Sequence, residues 1–383
     1  MGRSGKGIRY HTDALRRLLA IWVIFSASLA AQSALQQAVD LARHGKYAEA
    51  RERMAGVPEP ADLPQRIAFH RLRAAIASGL HEPERAVAEM RAALALAPAD
   101  PNLLLGVAVA ELQAGDLENA LSHAQAVPEN ATREALLGDI QEKRGAYPDA
   151  AKAYRAAVAL APHEERYRLA LGLELIEHQS FQAAIEILQS SAVAFPKSAK
   201  IRTLCGIAQY AAGYTEDAVR SLEEAISFDP KLDAPYAALA KIVLQSSAPP
   251  LPRVVDDLCG WNKLVCSALE LRVARQSGDQ NLRAKAIAGL KRTPADNAIG
   301  RCELARAYEW TNDLPQARTQ MEACVRLDPS PQNHYRLGLL YRKLGLTALA
   351  EKEMTQRNEI LRKMSEQTAL GLEALEGFDA GRE

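Results

Sequence analysis

The chain has 383 residues, 48% of them hydrophobic and 25% charged, and its 47 basic and 47 acidic side chains leave no net charge. With no basic excess for phosphates and only 5% aromatic residues to stack on bases, the composition argues against nucleic acid as a partner. The histidines are scattered, and no Gly-x-Ser-x-Gly elbow, phosphate-binding loop or dinucleotide fingerprint occurs. The sequence therefore predicts no enzyme, no cofactor and no metal site.

The N-terminus reads as an export signal. Arg3, Lys6, Arg9, Arg16 and Arg17 precede the uncharged apolar stretch Leu18–Ala31, and Ser28-Leu29-Ala30 supplies a small-x-small cleavage pattern. As a helix this stretch would span about 21 Å, short of the roughly 30 Å hydrocarbon core, so cleavage is expected over a retained anchor. Residues 1–31 are the expected signal peptide. The mature chain is expected to be periplasmic or secreted, with no membrane span.

Next comes a tandem pattern. Gly138, Gly172 and Gly206 lie 34 residues apart, as do Ala150, Ala184 and Ala218, and Pro162, Pro196 and Pro230. A fixed period of this length means one supersecondary unit copied in series. In one copy, Ile201, Leu204, Cys205, Ile207 and Ala208 recur at helical spacing until Gly213. Ala218, Val219, Leu222, Ala225 and Ile226 then mark a second helix, which Pro230 ends. Each copy is thus a helical hairpin. A glycine inside a helix costs about 1 kcal/mol against alanine, so Gly206 points to close helix approach. His163-Glu164-Glu165 follows Pro162 and reads as an acidic helix start. Asn130-Ala131-Thr132 matches a glycosylation sequon, and Asn130 reads equally well as a helix cap.

These residues resemble the tetratricopeptide repeat family. Leu137-Gly138, Leu171-Gly172 and Leu337-Gly338 match its first-helix pair, from which Cys205-Gly206 departs slightly. Gly45-Lys46-Tyr47 and Gly145-Ala146-Tyr147 match its turn. Ala50, Ala86, Ala120, Ala317 and Ala350 match its second-helix alanine, and Pro98 and Pro329 its closing proline. The resemblance covers roughly residues 35–365. It implies an all-α, right-handed superhelical solenoid of stacked helix-turn-helix repeats. The N-terminal array would occupy 32–245, and C-terminal repeats with a capping helix 297–367. Residues 246–296 are a degenerate repeat or joint. They open on Pro249, Pro250 and Pro252, which exclude a regular helix there, and Leu264–Arg275 and Leu282–Leu290 then look like an eroded hairpin. Residues 368–383 are expected to be a flexible tail.

In that family the first helices line a concave groove. The matching positions here are Leu105, Val109 and Leu112, then Leu169, Leu173 and Ile176, then Leu204, Ile207 and Tyr210. The intervening copy offers Ala135, Asp139 and Glu142. The resemblance thus implies an apolar peptide groove with an acidic break, suited to an apolar peptide or amphipathic helix. The Lys/Asn/Arg set by which some relatives grip a peptide carboxylate is missing. Further along, Arg306, Glu309, Trp310, Tyr335 and Arg342 make a second, polar and aromatic face of the residue types that dominate hot spots. The alternatives are that the first set is core and the second a solvated surface.

Five cysteines remain. Cys205 reads as a buried small hydrophobe. Cys302 and Cys324 fall at matching heights on the two helices of one hairpin, where a bridge is geometrically allowed. On an unbroken helix Cys259 and Cys266 would stand about 10.5 Å apart, beyond the roughly 7 Å limit for a bridge. They can pair only if Gly260-Trp261-Asn262 turns. No two-plus-two Cys/His spacing suggests zinc. The expected function is an exported, non-catalytic scaffold or adaptor that binds proteins or peptides in the cell envelope. The alternatives are a structural component that self-associates through its end repeats, and an accessory factor for envelope polymer assembly or export.

Overall fold

The structure, a computed structural model, describes residues 29–246 and 251–379, with side chains placed for 34–244, 246 and 251–363. Residues 1–28 of the expected signal peptide, and 247–250 of the proline segment, lie outside the described residues. Among the described residues there are twenty α-helices and no strand. The chain divides into two units, one running to Glu174 and the other from Leu175.

The first unit is built from antiparallel pairs: α1 (Leu29–Arg43) with α2 (Tyr47–Met54), α3 (Leu63–Gly79) with α4 (Pro83–Leu96), α5 (Pro101–Ala114) with α6 (Leu117–Gln125), and α7 (Ala131–Arg144) with α8 (Tyr147–Leu160). The division falls inside α9 (Glu165–Glu177). The second unit continues with α10 (Phe181–Ala194), α11 (Ala199–Ala211), α12 (Thr215–Phe228), α13 (Asp233–Gln245), α14 (Pro252–Trp261), α15 (Lys263–Ser277) and α16 (Gln280–Lys291). It ends with α17 (Ala298–Trp310), α18 (Leu314–Leu327), α19 (Pro331–Lys343) and α20 (Thr347–Asp379). α20 continues across residues 368–379, for which the sequence suggested a tail.

Local chemistry sets the helix ends. Asp100 caps α5 by accepting from Asn102 N at 2.8 Å, and Pro101 fills the first position, where no N–H is needed. Asn130 caps α7, its Oδ1 accepting from the Thr132 and Arg133 amides at 3.0 Å each. Apart from α13, which ends at Ser246 with φ −65°, the first helix of a pair ends at a residue of positive φ, a glycine at 45, 115, 145, 213, 278 and 345. His81, Gln179 and Asn312 take the same left-handed corner without being glycine. Gly145, Gln179 and Gly213 stand 34 apart, so the corner repeats even where its residue does not.

The close approach expected at the mid-helix glycines is present. A Cβ at Gly138 would stand 2.6 Å from the Tyr154 ring, and one at Gly206 2.8 Å from Leu222 and 3.1 Å from the Ala218 carbonyl. Ala50, Ala120, Ala150, Ala184, Ala218 and Ala317 are fully buried. Each unit has core clusters between successive pairs. In the first, Ala77, Met90, Leu103 and Val107 join α3, α4 and α5. In the second, a larger cluster runs from Leu222 through Leu239, Leu258 and Leu269 to Leu304.

The proline-rich opening of 246–296 does not stop helix from resuming at Pro252, which occupies the first position of α14. Asn262 then adopts extended angles (φ −147°, ψ 117°) and caps α15, accepting from Leu264 N at 2.9 Å and Val265 N at 3.2 Å.

Candidate functional site: the first-helix faces

Three apolar stripes run along α5, and packing decides which one is left partly open. Leu103, Val107 and Ala110 are buried against the preceding pair. Ala108 sits against Ala120 and Ala124 of α6. Leu105, Val109 and Leu112 are half-buried, leaning on a cluster that includes Leu136 and Ile140 of α7. On α7, Ala135, Asp139 and Glu142 are also half-buried, and Asp139 accepts from the Tyr154 hydroxyl at 2.6 Å. Burial, reinforced by Asp139, holds the Tyr154 phenol well above its ordinary pKa. On α9, Leu169 is buried with Tyr167 and Leu171, whereas Leu173 is half-buried. The Arg166 guanidinium lies 4.6 Å from the centre of the Tyr167 ring and donates to its hydroxyl at 2.8 Å.

In the second unit Ile176, Leu204, Ile207 and Tyr210 are half-buried, with Tyr210 packed on the large core cluster. Cys205 is buried beside them and carries no disulfide. The later face divides in character. Arg306 turns inward, pairing with buried Glu303 and reaching the Leu244 carbonyl at 3.4 Å. Glu309 pairs with Lys343 at 2.8 Å. Trp310 is half-buried beneath Arg283, whose guanidinium stands 5.1 Å from the ring centre. Tyr335 and Arg342 are exposed, and Arg357 lies 5.3 Å from the centre of the Tyr335 ring. Among the described residues no three His, Cys, Asp or Glu are grouped to hold a metal ion. Nor is any described helix long and apolar enough to cross a membrane.

The family model described as "Tetratricopeptide repeat" matches residues 71–135, 127–165 and 135–199. Residues 71–199 therefore resemble tetratricopeptide repeats. A curated relative, the TPR repeat-containing protein of Treponema pallidum (strain Nichols), is 27% identical over 215 residues. That match takes in 55% of this chain but only 25% of the relative's length. Among solved structures, YrrB, described as a TPR protein with an unusual peptide-binding site, is 20% identical with a TM-score of 0.36. That similarity covers 51% of this chain and 98% of YrrB. A tetratricopeptide repeat protein from Parabacteroides merdae is 14% identical with a TM-score of 0.44, covering 74% of this chain and 98% of that one.

Beside the repeat pattern, the helical pairs carry polar devices that sequence reasoning did not find. Glu111, fully buried on α5, accepts from Arg91 at 2.6 and 3.0 Å and stands 2.8 Å from His123 Nδ1. In the second unit Arg272 donates to the Val243 and Ser246 carbonyls, satisfying the open end of α13. Burial pushes the Glu303 carboxyl pKa up, against the pull of Arg306 and Arg272. A buried acid surrounded by two arginines gives no periodic signal, because its partners come from other turns and helices. Two disulfides complete the second unit. Cys302–Cys324 ties α17 to α18, with Cα atoms 5.0 Å apart. Cys259–Cys266 ties α14 to α15, and the extended residue Asn262 brings its Cα atoms to 4.3 Å.

Proposed function

We propose that this repeat protein is an exported, non-catalytic scaffold that binds an apolar peptide or amphipathic helix on its first-helix faces. The observation that carries the reading is the half-buried apolar side chains that each unit, taken by itself, shows on the first helices α5, α9 and α11, where α7 offers Ala135, Asp139 and Glu142 instead. On α5, α9 and α11 they are Leu105, Val109, Leu112 and Leu173 in the first unit, and Ile176, Leu204, Ile207 and Tyr210 in the second. Half-exposed aliphatic area at regular spacing is what a peptide needs in order to bury alternate side chains. Leu169, which is buried, belongs to the supporting core. The exposed pair Tyr335 and Arg342 offers a second, polar contact area with hot-spot chemistry. The basic N-terminus with its short apolar run supports export.

The test is capture of partners from cell-envelope extract by residues 32–383, beside a Leu173→Lys, Ile207→Lys variant whose helicity is first checked by circular dichroism. Long lysine stems can keep their heads in water, which limits damage to the core. A partner held by the parent and lost by the folded variant supports the apolar face. A partner retained by both removes it.

A further inference from the structure

The two disulfides of the second unit occupy different environments. Cys302 and Cys324 are buried, 8% and 0% exposed, within the α17–α18–α19 core. Cys259 and Cys266 are only half-buried, at the break between α14 and α15. Exchange requires a thiolate to reach a sulfur, so access decides which bridge reacts. We propose that Cys259–Cys266 is a thiol-exchange site opened by a dithiol reductant, and that the bridge latches α14 onto α15.

The step balances without further reagents. The dithiol's thiolate attacks one sulfur, forming a mixed disulfide and releasing the other cysteine as a thiolate, which takes up a proton. The reductant's second thiol then displaces the remaining cysteine and leaves as a cyclic disulfide. Two electrons and two protons pass to the protein, and the Cys259–Cys266 bond breaks.

What opening would release is defined by the anchors of α14. The helix has ten residues, and its N-cap, Leu251, offers no side-chain cap. Val254 and Leu258 are its buried side chains. At its start Arg253 Nε donates to Glu223 at 3.0 Å. At its end Trp261 stacks on Tyr236, with ring centres 5.6 Å apart, and donates to Asp233 at 2.8 Å. An isolated helix this short is marginal in water, so its order depends on these few ties together with the bridge. Cutting the bridge removes the covalent tie across the extended residue Asn262.

The test uses the full chain under native conditions with graded dithiothreitol, iodoacetamide quench and peptide mass spectrometry. Cys259 and Cys266 should become alkylated at least about tenfold faster than Cys302 and Cys324. Amide exchange across 252–261 should accelerate by about tenfold or more as they do, while 233–245 keeps its protection. A Cys259→Ser, Cys266→Ser variant should show the fast α14 exchange without reductant. Equal or faster alkylation of Cys302 and Cys324 overturns the exchange site, as do free thiols at 259 and 266 in the untreated protein. Unchanged α14 exchange, in either the reduced protein or the double variant, overturns the latch.

Discussion

Glu303 and Tyr341 show how burial, more than charge pairing, sets the titration of this protein's polar groups. Glu303 is buried between Arg306 and Arg272, yet desolvation dominates and its pKa is raised. A carboxyl raised in the folded state binds protons more tightly there than in the unfolded chain. Its contribution therefore weakens as pH climbs from the ordinary carboxylate range through the folded-state pKa. Glu303→Gln should flatten that part of the stability profile, read by urea unfolding at a series of pH values. Tyr341 is pushed from 10.0 to about 12, first by burial and then by its hydrogen bond to Glu322 at 2.9 Å. The neutral phenol is the form the fold favours, so stability should be lost as pH rises from 10.0 through about 12. In Tyr341→Phe that loss should disappear from thermal unfolding curves, and the phenolate titration at about 12 should go with it.

At the scale of the element, glycine separates packing from conformation. Gly206→Ala places a Cβ 3.1 Å from the Ala218 carbonyl and 2.8 Å from Leu222, backbone and core atoms that cannot easily move. It should cost about 1–3 kcal/mol in chemical unfolding despite the better helix propensity of alanine. Gly260→Ala meets nothing within 4 Å on α14 and should be neutral or stabilising by up to about 1 kcal/mol. At the corner after α3, His81 holds φ 60°, so His81→Gly should relieve about 1 kcal/mol of strain. The helices and corners of the regular repeats were legible because their packing demand recurs every 34 residues. α14 was not. Three prolines argued for irregular chain, and only the structure shows Pro252 as the first residue of a new helix. The candidate faces were legible only by register. Leu169 and Leu173 are one helical turn apart, yet the first is buried and the second half-open, a difference set by neighbouring helices.

On the scale of the whole molecule the cysteines are unevenly placed: all five lie in the unit that begins at Leu175. The Cys302→Ser, Cys324→Ser variant should therefore lose about 3 kcal/mol of stability in that unit, the amount expected for closing a loop of this length. Hydrogen exchange resolved by peptide should register the loss after Leu175 and leave protection before Glu174 unchanged.

By itself the sequence determined the all-α hairpin repeat, its 34-residue period and the alanine and glycine contacts within each pair. Each of these is a local demand restated copy after copy, so it survives as a pattern in one dimension. Tertiary structure alone decided the bond between Cys259 and Cys266, the capture of the α13 carbonyls by Arg272 and Arg306, and the burial of Glu111 and Glu303. These depend on groups brought together from different helices, at spacings no repeat imposes. A polar side chain's burial is fixed by what covers it, and its own position in the chain carries no mark of that.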